Sequence, residues 1–276
     1  MTLNEALRLA IPRLKAANID DPAKDARLLL AHATGISPNR LTLHLNDSLD
    51  TQAAGRFDTA LQAREARQPL SQITGHRLFW GRPFRVTRDV LDPRPETEIL
   101  VAAALERPFT KLLDLGTGSG CILLSCLLDR PTSHGTGVDI SDPALAVARD
   151  NAATLGCTTA TFVQSHWCQN VQGCFDLILS NPPYIAAAEM RGLSPEVRLW
   201  EPQHALTPGG DGLDAYRILA RQTPAHLAPG GRLLVEIGPT QAHMVTGLFA
   251  EHGLTRIITL QDFDGRDRVI QAEKPL

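Results

Sequence analysis

Lys111-Leu112-Leu113-Asp114-Leu115 runs directly into Gly116-Thr117-Gly118-Ser119-Gly120, and an apolar stretch from Cys121 to Leu128 follows at once. A short apolar run, a cluster of glycines and a longer apolar run read as strand, tight turn and buried helix. The unit recurs in looser form. Thr136 to Ile140 predicts a strand that ends at Asp139, with a helix from Asp142-Pro143, and further strands fall at Ala160 to Gln164, Phe175 to Ser180 and Gly231 to Ile237. Strands separated by helices pair side by side through crossovers, so the chain is committed to a parallel sheet with helices on both faces. Leu254 to Leu260 and Arg268 to Ala272 are near enough in sequence to close one edge as a final pair. The expected class is α/β, built on a Rossmann-like sheet.

The residues ahead of that sheet follow a helical period. Leu3, Ala6, Leu7, Ala10, Ile11 and Leu14 share one face, and Thr2 with Glu5 supplies a capping box. Asp21-Pro22 starts a second helix that Gly35 ends, Ser37-Pro38 starts a short third, and Asp50 opens a fourth that runs toward Arg67. Phe79-Trp80 and Phe84-Arg85-Val86, separated by Gly81-Arg82-Pro83, predict a hairpin. The expected organisation is therefore a small N-terminal helical substrate-recognition domain over 1–75, a β-hairpin linker over 76–93 and the sheet domain over 94–276.

Charge narrows the choice of partner. Up to residue 75 there are nine Lys/Arg against eight Asp/Glu, and the whole chain carries a net charge of -3. That balance provides no general attraction to a phosphate backbone, so direct nucleic-acid binding is not expected and a protein partner fits the helical domain better. The five cysteines form no C-x-x-C pair and the nine histidines no H-x-x-x-H pair, so reduced thiols and no metal are expected. No apolar run is long enough to span a bilayer, and the amino terminus lacks the basic stretch and apolar core of a signal peptide. A cytoplasmic monomer without a membrane partner is the expectation.

The glycine turn suits a nucleotide-like cofactor, because glycines let a ligand approach the main chain and a helix amino terminus favours anionic groups. The dinucleotide fingerprint places its third glycine one position later, where this chain has Cys121, which weakens a dehydrogenase reading. Asp139, at the end of the second strand, is placed to accept hydrogen bonds from both hydroxyls of a ribose, while Ser141 or Asp142 is free to cap the helix that follows. This much serves NAD and S-adenosylmethionine alike.

Asn181-Pro182-Pro183-Tyr184 follows the fourth strand, at the carboxyl edge where open α/β sheets bind their ligands. The two prolines fix the backbone and donate no hydrogen bond, leaving the Asn181 side-chain oxygen and the Pro182 carbonyl as paired acceptors. A planar NH2 group matches two such acceptors, and Tyr184 offers a face against which it can stack. An amide nitrogen is a poor nucleophile because its lone pair is delocalised into the carbonyl. Acceptors aimed at its hydrogens orient it, favour pyramidalisation and stabilise the positive charge that develops on nitrogen as it is alkylated. Orientation alone contributes roughly 7 to 11 kcal/mol in favourable cases, so the pattern calls for no strong general base. Beside the cofactor loop, the tetrapeptide points to methylation of a planar nitrogen by S-adenosylmethionine. Glutamine amides and the exocyclic amines of adenine and cytosine pose the same hydrogen-bonding problem, and the tetrapeptide alone leaves both open. A noncatalytic binding module is disfavoured by the intact glycine loop, Asp139 and Asn181.

Taken together, several segments resemble the HemK-like methyltransferases that modify the glutamine of the Gly-Gly-Gln motif in bacterial peptide chain release factors. They are Pro69 to Gly75, Val90-Leu91-Asp92-Pro93-Arg94-Pro95-Glu96-Thr97-Glu98, Asp114 to Gly120, Asn181 to Tyr184, Glu201-Pro202, Gly209-Gly210-Asp211-Gly212-Leu213 and Glu236-Ile237-Gly238. The resemblance implies a Rossmann-like S-adenosylmethionine-dependent methyltransferase sheet with release factors as protein substrate, and S-adenosylhomocysteine as product. It implies cofactor contacts from Gly116, Thr117, Gly118, Ser119, Gly120, Asp139, Trp167 and Asn181, with Trp167 beside the adenine. It implies that the substrate glutamine lies on Asn181, Pro182, Pro183 and Tyr184, with Asn181, Pro182 and Tyr184 catalytic and Arg94, Thr97 and Glu98 near the pocket. Asp92 stands where many family members have an apolar residue, and Glu236 has no assigned role. A ribosomal-protein glutamine methyltransferase is the alternative nearest to this reading. Ala186 to Leu199 is expected either as a segment over the site or as a surface excursion.

Overall fold

Thr2 and Glu5 close the box that opens α1 (Leu3–Ala16): the Glu5 amide donates to the Thr2 hydroxyl at 3.2 Å and the Thr2 amide to the Glu5 carboxylate at 2.8 Å. Asp21 caps α2 (Pro22–Thr34), which stops at Gly35 in the left-handed region, and Asp50 caps α3 (Thr51–Glu65). A short α4 (Leu70–Thr74) completes the run. The third helix expected from Ser37-Pro38 is a turn instead. The Ser37 carbonyl accepts from the Arg40 and Leu41 amides, and only one 3-10 turn, Leu41–His44, follows. Leu3, Ala6, Ala10 and Leu14 pack with Leu29, Leu30, Phe57 and Leu61 into a small core of their own.

The computed structural model describes residues 1–276. Its first compact unit takes in Met1–His76 and, from much later in the chain, Ser194–Trp200. The helix over Pro195–Trp200 contributes Glu196 to a line of buried charge in which Arg64 binds Asp25 at 2.7 Å and Glu196 at 3.0 Å, and Arg67 binds Glu196 at 2.7 Å. A guanidinium shared between two carboxylates is tolerated in a half-dry setting because every charge meets an opposite one with hydrogen-bond geometry.

The second unit comprises Arg77–Leu193 and Glu201–Leu276. From Arg77 on, the hairpin of β1 (His76–Phe79) and β2 (Arg82–Arg85) falls within it. Glu98, the first residue of α5 (Glu98–Leu105), accepts from the Trp80 amide at 2.7 Å, and Asp129 accepts from the Trp80 indole and from Arg82. Then come β3 (Lys111–Leu115), α6 (Cys121–Asp129), β4 (His134–Asp139), α7 (Asp142–Leu155), β5 (Ala160–Gln164) and β6 (Phe175–Ser180). After α8, the Pro195–Trp200 helix, the chain continues with α9 (Gln203–Leu206), α10 (Asp214–His226), β7 (Leu227–Glu236), α11 (Ala242–Glu251), β8 (Thr255–Gln261) and β9 (Asp267–Glu273).

Seven strands form one sheet in the order β5-β4-β3-β6-β7-β9-β8, parallel up to β7, with β9 antiparallel to both its neighbours. Alternation along each strand divides the core. Leu112, Leu177, Leu179 and Leu234 join one cluster with α5 and α6, whereas Leu113, Ile178, Leu233 and Val235 join the other with α10 and α11. Helix α6 is buried on nearly every side, and it lies close over β4 because Gly135 has no side chain: a Cβ there would stand 2.6 Å from Leu123. From β3 the chain winds outward through β4 and β5, then returns to β6 and β7 on the other side. That reversal leaves a crevice at the carboxyl ends of β3, β4 and β6, the place where open sheets of this kind take their ligands.

Candidate active site

A cavity of about 320 Å³ opens at that crevice. Gly116, Thr117, Gly118 and Ser119 line it after β3, Asp139 and Ile140 after β4, His166 and Trp167 after β5, and Asn181 with Pro183 after β6. The size suits a small molecule, and the wall mixes apolar side chains such as Val90, Ile122, Ile140 and Trp167 with polar and charged ones such as Arg94, Asp139 and Asn181, as ligand sites commonly do.

The glycine loop is held from below. The Gly116 and Thr117 amides both donate to the Val138 carbonyl at 2.9 Å, the Gly118 amide donates to the Asp139 carboxylate at 2.9 Å, and the Gly120 amide donates to the Thr117 carbonyl. Four amides of the turn are therefore engaged within the protein, and the loop offers a ligand close approach more than free donors. Gly137 has a part in this: a Cβ there would stand 2.9 Å from the Thr117 hydroxyl and force the loop off β4. Gly120 stands apart from the cavity wall. It adopts a positive φ at the start of α6, where a Cβ would press on Leu124 and Ala148, so its lack of a side chain serves helix packing.

Asp139 accepts from Gly118 through one oxygen and from the Ser141 amide through the other, at 2.9 Å each. The carboxylate is thereby fixed while each oxygen keeps a further lone pair for a hydroxyl. Ser141 caps α7, as its side chain accepts from the Ala144 amide, which frees Asp139 from that task. Trp167 sits in the left-handed region at φ 54, locked there by the Ser165 hydroxyl that donates to its carbonyl at 2.7 Å. A bulky residue held in that conformation carries backbone strain, and here the result is an indole set into the cavity wall.

Beneath the loop, Asp114 is fully buried and accepts from the Thr117 hydroxyl at 2.6 Å. Burial raises its carboxyl to about 7 despite that hydrogen bond. Because the folded-state value lies above that of the unfolded chain, the folded protein keeps this proton longer, and stability falls as pH rises between about 4 and 7. Asp114→Asn is expected to flatten that part of the pH dependence and to stabilise the ligand-free protein at pH 8 by up to about 4 kcal/mol. Urea unfolding of both proteins at pH 5 and pH 8 tests it; an unchanged difference between the two pH values would count against it. The neighbouring Cys121 thiol is pushed up to about 12 by burial, so it stays neutral as part of the wall.

The Asn181-Pro182-Pro183-Tyr184 turn brings two residues to the cavity, Asn181 and Pro183, while Pro182 is buried and Tyr184 packs against the cluster around Tyr216 and Val245. Asn181 donates its side-chain NH2 to the Thr97 hydroxyl at 3.3 Å, which leaves its oxygen as the unspent end of the amide. The Tyr184 carbonyl accepts from the Gln241 side chain at 2.9 Å, and Gln241 in turn accepts from the Gly238 amide. Burial raises the Tyr184 phenol to about 12, so it is neutral at every physiological pH. Gln241 had no signature in the sequence. Gly212 had one, its glycine-rich segment, and the structure shows what that segment does: it lies against the Tyr184 carbonyl.

Arg94 lines the cavity and binds Glu201 through both carboxylate oxygens at 2.7 Å. Asp92 faces the same guanidinium at 4.0 Å and Arg77 at 3.9 Å, which accounts for an acid at a buried position. Glu98 points the other way, onto the hairpin. No group of three His, Cys, Asp or Glu side chains is arranged to hold a metal ion, and no helix is long and apolar enough to cross a membrane.

A sheet that winds outward in both directions from β3 and closes with an inserted antiparallel strand, carrying a glycine loop and a strand-end acid at one cavity, is the fold of the Rossmann-like methyltransferases. Residues 5–75 match the PrmC N-terminal domain and residues 87–213 the methyltransferase small domain. The chain belongs to the release factor glutamine methyltransferase family: it is 60% identical over 276 residues to the protein of that name from Cereibacter sphaeroides, covering 100% of this chain and 99% of that one. The corresponding protein of Rhodospirillum rubrum is 46% identical over 266 residues, or 95% of this chain and 82% of its own. The crystal structure of a methyltransferase from Pyrococcus furiosus shares the fold, with a TM-score of 0.54 at 16% identity over 70% of this chain and 89% of that one.

Proposed function

We infer that this enzyme methylates the side-chain amide nitrogen of the glutamine in the Gly-Gly-Gln motif of bacterial peptide chain release factors, with S-adenosylmethionine as methyl donor. Beside family membership, the observation that carries the reading is the Asn181 amide: its NH2 is bound to Thr97, so its oxygen is the acceptor left for a substrate NH2. The cavity suits the cofactor. Asp139 has lone pairs for the ribose hydroxyls, Gly116 to Ser119 let it approach the backbone, and Trp167 with Ile140 gives an apolar berth for the base. When bound, it supplies an electrophilic methyl group.

The protein's own work is orientation. Asn181 Oδ1, and beside it in the turn the main-chain carbonyl of Pro182, whose ring is buried, are assigned to accept the two amide hydrogens, turn the nitrogen toward the cofactor side of the cavity, and stabilise charge that builds there. An N-methylated amide cation is strongly acidic and loses its proton to water unaided. Tyr184 contributes through its backbone and its packing under the turn, and Pro183 supplies the wall that keeps the planar group in place. The helical unit of Met1–His76, with its balanced charge, is assigned to recognition of the protein substrate.

Purified release factor incubated with the enzyme and S-adenosylmethionine, then mapped by peptide mass spectrometry, is expected to gain one methyl on the Gly-Gly-Gln glutamine. A methyl found only on a ribosomal protein or on nucleic acid in parallel incubations would overturn the substrate assignment.

A further inference from the structure

Asn181 does not stand alone. Its NH2 donates to Thr97 Oγ1 at 3.3 Å, and that hydroxyl donates its own proton to Glu236 Oε2 at 2.6 Å. Thr97 is 2% exposed and Glu236 1%, so water does not stand in for either partner. The three residues come from far apart in the sequence: Thr97 from the turn before α5, Asn181 from the end of β6, and Glu236 from the end of β7, where Val235 pairs with Ser180. None of these contacts is required by the sheet or the helices that carry them.

A carboxamide presents nearly the same shape after a half-turn, with oxygen and nitrogen exchanged. Only one of the two orientations serves an NH2 substrate, since the other would aim donors at donors. A hydroxyl has a single proton, and Thr97 spends it on Glu236, so toward Asn181 it can only accept. We propose that Thr97 and Glu236 are positioning residues that hold the Asn181 amide with its oxygen toward the substrate. The proposal rests on the reading of Asn181 as acceptor given above.

The direction of the chain depends on Glu236 being ionised. Burial dominates and raises its carboxyl to about 7, against the Thr97 hydrogen bond and the Arg268 and Arg94 cations, which draw it down; Glu96 pushes it up, and the phenols of Tyr184 and Tyr216 and the thiol of Cys121 are also close enough to feel it. Once protonated, Glu236 can donate to Thr97, which is then free to donate to Asn181, and the amide turns its NH2 toward the substrate. Turnover therefore rises with pH through a single protonation near neutrality and is lost on the acid side.

Single-turnover methylation of release factor at saturating S-adenosylmethionine tests the proposal from pH 5.5 to 8.5. The unmodified enzyme is expected to show that one-proton acid limb, and Glu236→Gln, whose amide can either donate to or accept from Thr97, to lose it. Asp114 titrates in the same range, but its limb would survive Glu236→Gln. Thr97→Val, close in shape and without the hydroxyl, is expected to lower the single-turnover rate about a hundredfold, while stabilisation by S-adenosylhomocysteine stays at the unmodified level. Thr97→Ser is expected to recover most of the rate. A Thr97→Val rate within threefold of the unmodified enzyme, no recovery in Thr97→Ser, or an acid limb retained by Glu236→Gln would overturn it. If the unmodified enzyme leaves the Gly-Gly-Gln glutamine untouched, the substrate reading fails instead, and the two failures are told apart.

Discussion

Asn181→Ala is expected to lower turnover on release factor by about a thousandfold, the upper end of what the loss of one preorganised hydrogen-bonding group costs in kcat. The substitution removes Oδ1 and nothing that shapes the turn, because Pro182 and Pro183 fix the backbone that follows. It also leaves Thr97 bound to Glu236, so the buried hydroxyl and carboxylate keep their partners. The fold is therefore preserved and the loss is one of orientation: the substrate nitrogen keeps a single acceptor and swings about it. Steady-state kinetics with release factor as variable substrate, beside thermal shifts with S-adenosylhomocysteine, separate the two effects. A rate within tenfold of the unmodified enzyme would show that a single acceptor suffices and that the clamp is misassigned.

The second large effect comes from a residue that touches no ligand. Gly212 has φ 82, and a Cβ built on it would lie 2.4 Å from the Tyr184 carbonyl oxygen and 3.1 Å from the Ala186 amide. Both are main-chain atoms of the segment that carries the Asn-Pro-Pro-Tyr turn, so no side chain can move aside to relieve the contact. Gly212→Ala is expected to displace Tyr184, disturb the Gln241 hydrogen bond to its carbonyl and cost at least a hundredfold in kcat, since a shift of about 1 Å at a reacting group has an effect of that order. Gly209→Ala supplies the control. Its φ of 88 carries the same left-handed strain, yet a Cβ there meets nothing within 4 Å. Equal losses in the two variants, measured as kcat at saturating substrates, would mean that backbone strain rather than collision with the turn is responsible.

These effects mark the line between what the sequence makes legible and what it hides. The strand and helix positions of the sheet unit follow from local period and glycine placement, and β3, α6, β4, α7 and β6 appear within a residue or two of their expected bounds. The glycine loop, Asp139 and the Asn-Pro-Pro-Tyr turn, to which the proposed function gives cofactor and substrate, are readable for the same reason: each is a short run of adjacent residues. Partner choice over long distances is not. Nothing local to Glu236 says that it accepts from Thr97, 139 positions away, or that Gln241 holds the Tyr184 carbonyl. Gly120 has a packing role that the glycine run alone does not disclose: its φ is 78 and a Cβ there would stand 3.3 Å from Ala148. The expected helix at Ser37-Pro38 failed because its first turn closes on the Ser37 carbonyl and the chain then runs through a single 3-10 turn.

The helix Pro195–Trp200 has a consequence for how the chain comes off the ribosome. Domains made early in synthesis generally fold as they emerge. Here the early unit is incomplete at residue 76, since Glu196, the shared partner of Arg64 and Arg67, is not made until 120 positions later. Until then two cations lie side by side with Asp25 as the one acid bound to either. The amino-terminal helices can bury their shared apolar core before then, but the ion pairs of Arg64 and Arg67 with Glu196 form only after the Asn-Pro-Pro-Tyr turn, which precedes Glu196 in the chain, has been translated.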